Sequence, residues 1–223
     1  MCAKYLLCGM ILSFSASASV MVLEGNYPQS SQENVLLYSS SAPGQSIIGR
    51  TNSTNTLVDF STLSGELMVD GSNGQSYVTG VGGGSRKKGG TISDISIELA
   101  HGDPFTSLIL ALDLSGVGHA STCFGCIKYS VTGSAAGSGN LAGAIGPGTT
   151  FFTFVAPPGE ELTSVTLSGV GSQRIADIRQ VRITPAAGGT AEIATAEPGT
   201  FLLVCGGALI ALGAARRRRT RTA

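Results

Sequence analysis

Between residues 35 and 183 the apolar side chains recur at every second position in short runs, and Gly, Ser, Asn and Pro cluster between the runs. A period of two sends alternate side chains to opposite faces of an extended chain, so this pattern predicts strands with one apolar face. The plainest cases are Ile95, Ile97 and Leu99, followed by Leu108, Leu110, Leu112 and Leu114. Further runs at 35–38, 57–63, 66–69, 77–81, 127–131, 151–155, 162–167 and 178–183 bring the expectation to about ten strands. No run carries a helical period. The expected fold class is all-β, an antiparallel β-sandwich of jelly-roll-like form over residues 19–185. Two glycine-rich stretches, 80–90 and 133–148, read as loops on that sandwich.

Both ends break the pattern. Near the start, Lys4 precedes an apolar stretch over 5–14, and small residues follow, with Ala16 and Ala18 spaced as an A-x-A site. That is the order of a secretory signal peptide, so residues 1–18 are expected to be removed by cleavage after Ala18. The apolar part is too short to span a bilayer as a stable helix. Cys8 comes too early for a lipoprotein leader and follows Leu7 rather than a small residue. Past the last strand run, residues 186–196 form a small-residue linker without apolar periodicity.

Glu197, Pro198, Gly199 and Thr200 come next, then fifteen apolar residues over 201–215, then Arg216, Arg217, Arg218, Arg219 and Arg221. A helix of that length rises about 22 Å against a hydrocarbon core of about 30 Å, and Thr200 with snorkelling arginines extends its reach. The cationic end stays cytoplasmic by the positive-inside bias, which puts Glu197 and the β domain across the inner membrane. The leader independently implies the same topology.

This order of Glu-Pro-Gly-Thr, short apolar helix and terminal arginines resembles the sorting signal of PEP-CTERM proteins, with Ala196 standing where the family's motif begins with proline. The resemblance covers residues 197–223. A weaker likeness lies in FFTFVAPPGEELTSVTL and the following IADIRQVRI, which are similar to the closing strands of many PEP-CTERM ectodomains. The resemblance implies recognition by an exosortase, a membrane cysteine protease-transpeptidase of exopolysaccharide-producing bacteria that have an outer membrane. Glu197, Pro198 and Gly199 would then be recognition positions, the apolar helix a transient inner-membrane hold, and Arg216, Arg217, Arg218 and Arg219 the stop signal. The alternative is an ordinary single-span anchor with a basic stop-transfer cluster.

Composition changes the picture in two ways. Glycine is abundant at 32 residues and tryptophan is absent, which suits short strands and tight turns. The formal net charge of zero hides an asymmetry: with Lys4 and the five C-terminal arginines set aside, eight basic residues face fourteen acidic ones. Such a body has no electrostatic footprint for nucleic acid.

Candidate chemistry in the body is sparse. Cys123 and Cys126 are the only cysteines outside the leader and the tail, and an isolated exported pair reads as a local disulfide. His119 with the two cysteines and His101 could supply zinc ligands, but one CxxC without a second pair at recognised spacing argues against a metal site. Asp70-Gly71-Ser72-Asn73-Gly74 reads as a hairpin turn, with a calcium site assembled from Asp70, Asp94, Asp103 or Asp113 as the minority alternative. No G-x-S-x-G elbow occurs, and Glu160 and Glu161 sit in a turn after two prolines, so no enzyme and no cofactor is expected. Arg86, Lys87 and Lys88 read as a solvated loop tip, with binding to acidic polysaccharide as the lesser alternative. The expected function is therefore an exported, exosortase-sorted structural protein of the cell surface or extracellular matrix. The rival is a carbohydrate-binding surface module on the same fold, whose stacking residues would come from Tyr27, Tyr38, Tyr77, Tyr129 and a few phenylalanines.

Overall fold

The computed structural model describes residues 19–186, except 39–41, 73–74, 86–87, 116–122 and 146–148. The leader with Ala16 and Ala18, all of the linker but Ala186, and the whole 197–223 tail lie outside the described residues. The chain divides after Ala186 into two units. Among the described residues no helix is long and apolar enough to cross a membrane.

The described residues of the first unit are mostly in strands. They begin with β1 (Met21–Glu24), β2 (Glu33–Leu36), β3 (Ser46–Thr51), β4 (Leu57–Ser61) and β5 (Leu67–Ser72). There follow β6 (Gln75–Ser85), β7 (Lys88–Gly90), β8 (Asp94–Leu99), β9 (Phe105–Ser115) and β10 (Cys123–Phe124). The set closes with β11 (Ile127–Gly133), β12 (Gly137–Asn140), β13 (Ala144–Ile145), β14 (Thr150–Val155), β15 (Leu162–Gly169) and β16 (Arg174–Pro185). Every paired ladder is antiparallel.

The hydrogen-bonded path closes on itself. From β9 it runs through β15, β8, β4, β3 and β2 to β16, and β16 pairs back onto β9. Two separate layers are therefore not what the ladders describe; the network is one 14-stranded sheet with a two-stranded ribbon, β10 with β13. The long β16 makes this closure. Its register slips between Ile175 and Asp177, Arg179 and Arg182, and Thr184 and Pro185, and at the second of these bulges it exchanges β6 for β2 while keeping β9. Gln180 lies in one of them with φ of 50°, a left-handed backbone that turns the strand.

The core follows the alternation. Ile95, Ile97 and Leu99 on β8 and Leu108, Leu110 and Leu112 on β9 are shielded from solvent, and Phe60, Phe105, Phe152 and Phe154 fill the space between. On β9, however, Ile109 and Ala111 on the opposite face are buried as well. The connector between β1 and β2 crosses that face: Thr153, which pairs with Ile109, donates to the Gly25 carbonyl at 2.8 Å and accepts from the Tyr27 amide at 3.2 Å. Arg182 reaches Asn26 Oδ1 at 3.2 Å from the other flank.

Several sequence expectations need correction. The run at 57–63 ends as a strand at Ser61, and Leu63 is 93% exposed, because Asp94 accepts from the Leu63 amide and the Ser64 hydroxyl and turns the chain outward. The glycine-rich stretches are not simply loops. Gly80 to Ser85 continues β6, and β7 folds back on it; a Cβ on Gly80 would sit 2.5 Å from the Thr91 carbonyl oxygen, so glycine here permits backbones to approach. The stretch after Gly133 likewise contributes β12 and β13.

Candidate functional site

Among the described residues that the sequence singled out, Cys123 comes together with Cys126, and Asp70, Tyr77 and Asp113 gather about Arg179. Cys123 on β10 and Cys126 just after it have Cα atoms 5.8 Å apart, inside the span a disulfide bridges, and their sulfurs face one another. Cys126 packs into the core, which fixes the small β10–β13 ribbon against the sheet. His101 sits in a short 3-10 turn with φ of 69°, and His119 lies outside the described residues. Arg86 and Lys87 lie outside them too.

The four aspartates do not gather at one site. Asp94 holds the turn after β4 through Thr62, Leu63 and Ser64. Asp70 accepts from the Gly71 amide at 2.7 Å, and Asp103 follows the 3-10 turn. Only Asp113 joins another acid. Among the described residues no three His, Cys, Asp or Glu side chains gather as metal ligands.

Asp113 belongs to a cross-strand group that sequence reasoning overlooked. The register sets Asp177 opposite Asp113 and Thr79, sets Arg179 opposite Ala111 and Tyr77, and sets Tyr77 opposite Asp70. Directly opposed residues share a face, so these side chains meet on one surface of the sheet. Arg179 donates from Nε to Asp177 Oδ1 at 2.7 Å and from Nη2 to Asp177 Oδ2. Its Nη2 lies 3.8 Å from Asp113 Oδ2, and its guanidinium carbon stands 5.2 Å from the Tyr77 ring centroid. The charges respond accordingly. The Asp177 hydrogen bond raises the Arg179 pKa against the opposing effect of burial. Burial and the neighbouring Asp177 raise Asp113 above the ordinary carboxylate value, although Arg179 pulls it back. Burial, then Asp70, raises the Tyr77 phenol. These contacts clamp β5, β6, β16 and β9 together. Asp177 and Arg179, two apart in one strand run, were the available sequence signal.

A second group is built differently. At the unjoined edge between β1 and β12, a pocket of about 220 Å³ is lined by Val22, Glu24, Tyr129, Asn140, Ala142, Gly143 and Phe152. The register explains why an acid faces inward there: Glu24 pairs with the buried Phe152 and so lies on the core side of β1. Tyr129 pairs with buried Leu167 and also points to the core side, where its ring meets Phe154 edge-on at 5.8 Å. Glycine makes room for both. A Cβ on Gly139 would fall 3.0 Å from the Tyr129 hydroxyl, and one on Gly143 would fall 2.7 Å from Glu24 Oε2. Val20 and Val22 precede Glu24 at the same parity, which was the legible hint.

No family model, no curated protein and no solved structure matches this chain.

Proposed function

We propose that the chain is an exported structural protein of the bacterial cell surface or extracellular polymer layer, delivered by a leader and sorted through its C-terminal tail by an exosortase. The observation that carries this reading is the ordered tail: Glu197, Pro198, Gly199 and Thr200, then the apolar stretch 201–215, then Arg216, Arg217, Arg218 and Arg219. Cleavage after Ala18 fits the fold's needs, since Val20 belongs to the core and Ser19 and Val20 lie against Gly137 on β12. A cut two residues later would remove a core side chain. The closed strand ladder is, on this reading, a flattened jelly-roll-like sandwich whose layers share β9 and β16 at their margins. Cys123 and Cys126 are disulfide-bonded after export, so neither thiol alkylates until a reductant is added.

The test is a pair of variants expressed in cells with and without an exosortase. Replacing Glu197 and Pro198 by alanine leaves the apolar stretch and the arginines intact, so the protein stays in the inner membrane unprocessed. Replacing Arg216, Arg217, Arg218 and Arg219 by glutamine removes the positive-inside bias and disturbs orientation instead. Unchanged size and surface location in the first variant, or normal processing without an exosortase, would reduce the tail to a simple anchor. A second reading, a saccharide-binding surface module on the same domain, is favoured by the pocket at Glu24.

A further inference from the structure

We propose that the bridge between Cys123 and Cys126 is a local redox switch: a dithiol reductant opens it, β10 leaves β13, and the main sheet stays folded. This rests on the reading of the pair as a disulfide and is independent of the sorting tail. The two cysteines are held very differently. Cys126 is 5% exposed and belongs to the core, its carbonyl accepts from the Val170 amide at 2.9 Å, and the next residue, Ile127, opens β11 opposite Gly169. It cannot move without disturbing the sheet. Cys123 is half-buried and stands on β10, a strand of two residues whose ladder joins Cys123 to Ile145 and Phe124 to Ala144. That ribbon stands apart from the 14-stranded sheet.

So short a ladder does not hold a ribbon by itself, since even a whole two-stranded hairpin is marginal in water. Its surroundings add little: Phe124 is 70% exposed, and Gly125 turns the chain between the two cysteines with φ of 62°. Ile145 is fully buried and keeps β13 in the core on its own account, so the strand that leaves is β10. Ile145 then loses Cys123, its cover across the ladder. The bridge closes a sequence separation of 3, and the entropy that a cross-link removes from the unfolded chain grows with loop length, so opening it costs the whole fold little. The ribbon bears the loss. In the exchange, one thiolate of the dithiol bonds to Sγ of Cys123, the more exposed of the two residues, the Cys123–Cys126 bond breaks, and Cys126 leaves as a thiolate that takes a proton from water. The second thiolate then attacks the reductant's own sulfur in the mixed disulfide, which releases Cys123 and leaves the reductant oxidised.

The experiment is mass spectrometry on the full chain, read peptide by peptide so that Cys2, Cys8 and Cys205 do not enter the count. Alkylation without reductant comes first, and free thiols at Cys123 and Cys126 there would overturn the disulfide reading and the switch with it. With the bridge present, hydrogen exchange is compared before and after dithiothreitol. Amides of 123–126 and 144–145 are expected to exchange at least about tenfold faster in the reduced protein, while those of β8, β9 and β15 keep their protection. Cys123→Ala combined with Cys126→Ala should show the same local gain without any reductant. Unchanged exchange in the reduced protein or in this double variant would overturn the switch and leave the disulfide as an inert staple. Protection lost across the whole sheet would overturn it too, because the bridge would then hold the fold rather than the ribbon. The order of attack has its own readout: the Cys123 thiol left in Cys126→Ala should be alkylated roughly tenfold faster than the Cys126 thiol left in Cys123→Ala, and equal rates would overturn the attack at Cys123.

Discussion

Glu24 on β1 and Glu33 on β2 lie on two short strands joined by one connector, and their carboxylates meet opposite surroundings. Glu33 is 7% exposed, and its Oε2 accepts from the amides of Ser53 at 2.9 Å and Thr54 at 2.8 Å, closing the turn after β3. Burial alone would raise its pKa, but these amide bonds, helped by the Thr54 and Thr51 hydroxyls, outweigh burial and leave it lowered. Glu24 is exposed, pairs with nothing in the described residues and borders a pocket. The difference teaches how to separate polar groups that build the fold from those available to a ligand: the first are consumed by neighbours, the second are not. Arg179 with Asp177 stands with Glu33 in the first class.

That division can be broken by mutation, and the largest effect is expected at Arg179. Arg179→Met leaves Asp113 and Asp177 facing each other without their cation, and urea denaturation should show a loss of about 2 kcal/mol, the partial exposure of the group keeping it below a fully buried pair. A loss under about 0.5 kcal/mol would place the group with exposed ion pairs instead.

Glu33→Gln should cost about 1–2 kcal/mol at neutral pH, since the amides of Ser53 and Thr54 lose a charged acceptor. Its pH dependence has a definite sign. With the folded pKa below the ordinary 4.5, Glu33 contributes stability that is fully present above 4.5 and is lost as pH falls through the folded value. The unaltered protein and Glu33→Gln should therefore converge in stability at acid pH, and denaturation midpoints that stay apart there would contradict the assignment.

Asp113 has the reverse sign and a smaller effect. Its folded pKa is raised above the ordinary 3.8, so the folded state carries a cost when Asp113 is ionised, and that cost fades as pH falls through the folded value. Asp113→Asn should stabilise by about 0.5 kcal/mol at pH 7 and by less as the solution is acidified, read by the same denaturation series. The smallest change belongs to the pocket: Glu24→Gln should alter stability by no more than about 0.5 kcal/mol, because it breaks no internal contact. A loss as large as that of Glu33→Gln would mean that the two glutamates are not opposites.

The strands with a strict apolar alternation were legible without the structure. Ile95, Ile97 and Leu99 could only stack on one face of a strand, and the β8 burial pattern repeats the written one. Strands whose inward face carries few large apolar side chains were not legible. The inward face of β3 is Ile47, Gly49 and Thr51, with one large apolar side chain among the three, so its pattern is too weak to stand out. The glycines at 80 and 90 read as loop formers, yet they serve a close approach of backbones, which no local pattern reveals.

What the sequence by itself determined is the all-β character of the body, because period-two alternation is a local consequence of pleated backbone. It also carried the whole reading of leader and tail, which depends on the order of charge, small residues and apolar length. Only the tertiary structure decided that Ile109 would be covered by the connector after β1, that Asp113 and Asp177 would share Arg179, and that Glu24 and Tyr129 would border one pocket at an open edge. Apart from the Asp177–Arg179 pair, these contacts join residues distant in sequence, and they are set by register and by which strands become neighbours. Alternation says which way a side chain points; strand order says what it points at.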